Sequence, residues 1–214
     1  MAPPGRCARY SRSGSIDLQG TTAMARALPI VRAGAWYHVV NRGISQSLLF
    51  PTAGAKDGFI LALGEIAYGS AVEVHAYCAM ESHYHVLARG EEPELRKAFS
   101  QLDAACCVTA ESARLRRMAV GRHLLHVTRY IHRNPVEAGL ARRPSEWSWS
   151  SYRGYLDPLD GPLWLRSSTV LGWLGSIGSR QLYRRLVESP YSTSHRSRYL
   201  DVLFDLDRDQ RSGR

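Results

Sequence analysis

The chain has 214 residues, 44% hydrophobic and 22% charged, with a formal net charge of +9. That length buries a core without staples or metals and is too short for a second full domain; the composition excludes a disordered polymer, and no apolar run nears the roughly 20 residues needed to span a bilayer. Positive charge carried almost wholly by arginine, with lysine only at Lys56 and Lys97, favours a polyanionic partner such as nucleic acid, although base composition of the coding DNA produces the same bias.

Residues 1–23 are punctuated by Pro, Gly, Ser and Arg and read as a flexible N-terminal extension, with Met24 an alternative start. They lack the apolar core of a secretory signal, so the chain is expected in the cytoplasm. From Ala35 the run Trp36-Tyr37-His38-Val39-Val40 predicts a strand, broken at Asn41-Arg42-Gly43. Residues 55–69 carry Phe59, Ile60, Leu63 and Ile66 at helical spacing, and Gly69 can end that helix. Val72–Met80 and Ser82–Arg89 are rich in β-branched and aromatic residues and predict a hairpin.

A long helix is expected from about Pro93 to Arg117, with Met118–Val120 a strand remnant. A further helix, from about Arg122 to Arg133, is expected to stop near Pro135, because the residue before proline is pushed out of the helical region. The order β-α-β-β-α-(β)-α is that of an α+β, ferredoxin-like domain, an antiparallel sheet with helices packed on one face. The opposite face would be free for a ligand. Trp147, Trp149, Tyr152 and Tyr155 form an aromatic segment expected at the domain edge, and residues 167–188 read as one or two short helices. The division is thus a main domain over 24–157, a C-terminal helical appendage over 158–190 and a disordered tail over 191–214. Cys7, Cys78, Cys106 and Cys107 have the spacing of neither a zinc knuckle nor a disulfide framework and read as reduced thiols.

Two local features carry chemistry. His83 and His85, two apart on a strand, point to one face and present their imidazoles side by side, as a divalent-metal site requires. Such a pair also arises by chance among eight histidines. Tyr130 and Asn134 stand four apart and share a helical face, whereas His132 is turned about 200° from Tyr130. Imidazole nitrogens together with a carbonyl oxygen suit Mg²⁺ or Mn²⁺ better than a closed zinc site, and a tyrosine at the edge of a core is the plainer alternative for Tyr130.

The run His75-Ala76-Tyr77-Cys78-Ala79-Met80-Glu81-Ser82-His83-Tyr84-His85-Val86-Leu87, followed by Arg129-Tyr130-Ile131-His132-Arg133-Asn134-Pro135-Val136-Glu137-Ala138-Gly139-Leu140, resembles the REP-associated tyrosine transposases, single-tyrosine HUH transposases with an IS200-like domain. Gly34–Gly43 is similar to that family's first strand and Trp147–Tyr152 to its post-catalytic segment. The resemblance implies a divalent cation, Mg²⁺ or Mn²⁺, held by His83, His85 and Asn134, with Tyr130 as the nucleophile. It implies DNA transposition: cleavage and rejoining of single-stranded, hairpin DNA through a 5′-phosphotyrosine.

Arg42, Arg89, Arg129 and Arg133 are candidate phosphate contacts, and Trp36, Tyr37 and Tyr84 are candidates either to stack on bases or to pack in the core. Where the family has Pro-Asn-His, this chain has Glu81-Ser82-His83. The stretch between Leu102 and Tyr130 is shorter than the family's and lacks its Gly-Arg-Phe strand. That departure supports an alternative, a catalytically impaired, domesticated DNA-binding protein of the same fold; a hydrolase of another class is a third reading. No membrane partner is expected, and monomer and homodimer are both open.

Overall fold

The computed structural model describes residues 34–44, 47–106 and 112–190, and the expectations for the N-terminal extension and the tail after residue 190 lie outside them. The elements run β1 (Ala35–Arg42), α1 (Ala53–Gly69), β2 (Glu73–Ala79), β3 (His83–Gly90), α2 (Glu92–Ala105) and β4 (Arg114–Met118). They form an antiparallel sheet ordered β2-β3-β1-β4. This is the α+β, ferredoxin-like arrangement, in which each helix connects strands that are not neighbours in the sheet. Among the described residues, no helix is long and apolar enough to cross a membrane.

Strand alternation divides β1 between two cores. Tyr37 and Val39, with Tyr84, Val86 and Ala88 of β3, face Phe59 and Leu63 of α1 and Leu95, Phe99 and Leu102 of α2. Trp36 and Leu87 face the other way. The helices that sequence periodicity places on one face are therefore α1 and α2. The second face is not left open along its length: α3 (His123–Glu137) packs over β2 and β3, followed by α4 (Tyr152–Leu156), α5 (Ser167–Leu171) and α6 (Ser179–Glu188). Leu124, Val127 and Ile131 of α3 join Tyr152, Tyr155, Val170, Tyr183 and Val187 in one buried cluster.

Three expectations are corrected. The helix expected to reach Arg117 ends at Ala105, and the strand remnant placed at Met118–Val120 is instead a five-residue strand, Arg114–Met118, paired along β1. Arg, Leu and Met are good helix formers in isolation, but β1 offers its second edge to be paired, and tertiary pairing overrides propensity. The last helix does not stop before Pro135 but continues to Glu137. The proline removes only one donor close to the helix end, and the Ala138 amide still donates to the Asn134 carbonyl at 3.0 Å.

The exposed edge of β2 is closed by the segment after α3. The Ala79 amide donates to the Trp149 carbonyl (2.9 Å), the Ser151 amide to the Tyr77 carbonyl (3.0 Å) and the Trp147 indole to the Ala79 carbonyl (2.9 Å). Ser151 also links this edge to α3, because its hydroxyl meets His132 Nε2 at 2.7 Å while His132 Nδ1 meets the Tyr183 hydroxyl at 2.7 Å. Burial pushes the His132 pKa down to about 3, so the ring is neutral, one nitrogen donating and the other accepting. Both partners are buried with it. Removing the Tyr183 hydroxyl in Tyr183→Phe should therefore cost about 1–3 kcal/mol, the penalty for an unpaired buried nitrogen. Urea denaturation checks this through a lower midpoint at an unchanged slope; an unchanged midpoint would show that the bond contributes nothing.

Candidate functional site

The site is built from the α3 face of the sheet and the one face of α3 turned toward it. The His83–Gly90 strand begins after a tight link whose backbone is held from three sides. The Met80 amide donates to the His83 carbonyl (2.8 Å), the Phe50 amide to the Glu81 carbonyl (2.9 Å) and the Gly43 amide to the Ser82 carbonyl (3.0 Å). Glu81-Ser82 thus forms a fixed turn without the proline and asparagine of the resembled motif.

His83 and His85 project to the same face, ring centroids 4.9 Å apart. Asn134 reaches both: its Oδ1 lies 3.2 Å from His83 Nε2 and its Nδ2 lies 3.1 Å from His85 Nε2. The same residue favours the ionised form of the Tyr130 phenol, and the Tyr130 ring packs edge-on against His85 with centroids 5.2 Å apart. The four residues expected to converge do so.

A fifth member was not expected. His38 of β1 sits with its Nε2 3.1 Å from His85 Nδ1, and its ring is 6.1 Å from that of Tyr130. Its signal in the sequence was only a histidine in an otherwise apolar strand, and its partner is 47 residues away. Ser82 plays the same part for His83, its hydroxyl 3.1 Å from His83 Nδ1. Each imidazole is thus gripped at Nδ1 and aims Nε2 at the Asn134 amide, the second-sphere support that orients metal-binding histidines.

Burial dominates the electrostatics. It lowers the pKa of His83, with Asn134 opposing and Arg42 assisting. It lowers His85 well below the ordinary value, helped by His38, His83 and Arg42, and takes His38 to about 3, helped by Arg116. All three rings are neutral at physiological pH, the state a metal-binding imidazole requires. Burial raises the Tyr130 pKa, while Asn134 and Arg42 pull it back. No carboxylate occurs in β1, β3 or β4, and the single one in α3, Glu137, pairs with Arg133 at 2.7 Å. The surroundings therefore favour an anionic ligand.

The donors present fit a hard divalent ion. Two imidazole nitrogens and an amide oxygen form an open set that leaves positions for water or phosphate. Among the described residues no group of three or more His, Cys, Asp or Glu side chains is arranged to hold a metal. His38 adds no ligand, because its Nε2 is directed at His85.

The arginines divide. Arg42 is exposed at the end of β1, and its charge acts on His83, His85 and Tyr130. Arg89 is held by Glu73 at 3.8 Å and lies over Trp36. Arg129 and Arg133, proposed from sequence as phosphate contacts, turn toward the end of α6: Arg129 donates to the Ser189 carbonyl at 2.8 Å, and Arg133 to the carbonyls of Val187 and Ser189 at 2.8 and 3.0 Å. A cation at a helix C-terminus satisfies carbonyls that have no partner within the helix, so packing accounts for both placements. Trp36, Tyr37 and Tyr84 are core residues rather than stacking platforms, with the Tyr84 hydroxyl bonded to Asp103 at 2.9 Å.

Among solved structures, the chain is similar to a REP-associated tyrosine transposase bound to a REP hairpin. The two share 19% identity at a TM-score of 0.50, over 63% of this chain and 86% of that one. The likeness is one of fold. No family model matches the chain, and no curated protein does.

The hydrogen-bond chain assigns protons. Asn134 Nδ2 donates to His85 Nε2, so His85 carries its proton on Nδ1 and donates to His38. Asn134 Oδ1 accepts from His83 Nε2–H, and His83 Nδ1 accepts from Ser82. Long-range ¹H–¹⁵N spectra recorded at neutral pH in EDTA should show His85 protonated at Nδ1 and His83 at Nε2; the opposite pair of tautomers would refute this order.

Proposed function

We propose that this chain is a DNA strand transferase in which Tyr130 attacks a phosphodiester of single-stranded hairpin DNA, with His83, His85 and Asn134 holding Mg²⁺ or Mn²⁺. The observation that carries the reading is the Asn134 amide within hydrogen-bonding reach of both Nε2 atoms, with the Tyr130 ring packed edge-on against His85 beside it. Satisfying two buried ring nitrogens also serves stability, but that role does not call for a phenol on the same helix face. A nucleophile beside a cation site does, and the hairpin bound by the structural neighbour supplies the substrate class.

In the forward step the Tyr130 phenol gives up its proton as its oxygen bonds to phosphorus, the bond from phosphorus to the 3′ oxygen breaks, and the released 3′ oxygen takes up a proton in exchange. The 5′ end stays on the enzyme as a phosphotyrosine, and attack by a 3′-hydroxyl reverses the sequence and restores the phenol. A divalent cation held by His83, His85 and Asn134 would supply positive charge that stabilises the charge developing on the phosphate. Asn134 and Arg42 both favour the phenolate and so oppose the effect of burial on Tyr130. Arg42 adds fixed charge near the incoming phosphate.

The alternative of an impaired, domesticated DNA-binding protein rested on a missing strand. Strand β4 along β1 fills that place in the sheet, which removes this ground for the alternative, and the two readings are separated by whether an adduct forms. Incubation of the full chain with a single-stranded hairpin and Mn²⁺ should yield a covalent protein–DNA adduct on denaturing gels. Tyr130→Phe should abolish it, and both EDTA and the double variant His83→Ala, His85→Ala should reduce it by at least about 100-fold, the scale expected when a metal centre is dismantled. Salt-sensitive DNA retention with no adduct from the wild-type chain would establish the non-catalytic reading, and product release that survives Tyr130→Phe would establish a hydrolase.

A further inference from the structure

Strand β4 places three arginines in a sequence of five, and its register decides where they point. Arg114 pairs with Val40, Arg116 with His38 and Met118 with Trp36. Directly opposed residues of an antiparallel pair share a face, so Arg114 and Arg116 lie on the face that carries His38 and His85. Met118 supports this by packing into the core beneath α3. The intervening residues go the other way, with Leu115 against the α1–α2 core and Arg117 acting on Tyr37 and Glu92. The Arg116 charge reaches His38, as that of Arg42 reaches His83, His85 and Tyr130.

Helix α3 packs over β2 and β3, and on the β1–β4 side the surface opens. Arg42 and Arg114 are exposed, while Val40 between them and Arg116 are half-buried. Successive same-face residues of a strand are about 6.6 Å apart, so Arg114 and Arg116 stand at that spacing on β4, and Arg42, two residues beyond the Val40 that pairs with Arg114, continues the basic row on β1. No acidic side chain of β1, β3 or β4 interrupts it.

We propose that Arg114 and Arg116 of β4, continuing from Arg42, form a phosphate-binding track for the single-stranded DNA backbone that flanks the bond attacked by Tyr130. The inference rests on the strand-transferase reading for its substrate, but binding can be measured without catalysis. Phosphate contacts position a strand without reading its bases, so the track is indifferent to sequence. Its function is to hold the backbone in line with the nucleophile.

The test is the affinity of the full chain for a fluorescent single-stranded oligonucleotide in EDTA across a range of KCl concentrations. For a single strand, each phosphate that a side chain neutralises adds about 0.7 to the slope of log K against log salt. Arg114→Gln and Arg116→Gln should each lower the slope by that amount, the double variant by about 1.4, and Arg114→Lys should keep it. Lys97→Gln, exposed on α2 across the sheet, should leave it unchanged. A wild-type slope in the double variant overturns the track. Should Arg116→Gln fail to fold, the exposed Arg114 decides the matter alone. A reduced slope in the variants of a chain whose wild type forms no adduct keeps the track and removes the strand transferase; an adduct with unaltered slopes does the reverse.

Discussion

One primary amide holds the candidate site together. Asn134 has a carbonyl oxygen and an NH₂ group, and it meets His83, His85 and Tyr130 with them. That arrangement is possible only if α3 is fixed in rotation, because one residue of slip turns a helix by about 100° and would carry both Tyr130 and Asn134 off the sheet. The constraint comes from the far side of the helix. His132 bonds Ser151 and Tyr183, and Arg129 and Arg133 grip the end of α6. The C-terminal helices therefore act on the candidate site without touching it, by holding α3 at one angle over β2 and β3.

Burial then gives these residues their character. Three imidazoles in a region without carboxylates are neutral because desolvation disfavours their charged forms. Neutral rings can accept a cation, while the fixed charges of Arg42 and Arg116 act on the same face of the sheet. A site that took both a divalent ion and a phosphodiester, as proposed, would benefit from this separation: a cation would replace hydrogen bonds at Nε2, and guanidinium groups would not compete for those nitrogens.

Much of this was legible in the sequence, for identifiable reasons. The hairpin that carries His83 and His85 is rich in β-branched and aromatic residues, and Tyr130 and Asn134 share a face by helix geometry alone, so local rules sufficed. Where partners are distant, local rules failed. His38 gains its role only through strand pairing with β3, and β4 exists because β1 has an edge to fill, against the helical preference of Arg114–Met118. Arg129 and Arg133 looked like phosphate ligands because they flank Tyr130, but their positions on the helix turn them away from it, toward carbonyls that only the folded C-terminal segment provides.

Strand β1 shows why both outcomes occur in one segment. It is central, covered on both faces, and so reads as a nearly continuous apolar run rather than an alternating one. Tyr37 and Val39 serve the core beneath α1 and α2, while Trp36, His38 and Arg42 serve the face of α3 and the site. A shift of one residue in its pairing would exchange these sets completely. The register is fixed on both sides, by eight residue pairs with β3 and five with β4. The short basic edge strand thus does more than complete the sheet: by pinning β1 it keeps His38 against His85, and through His85 it keeps an Nε2 directed at Asn134.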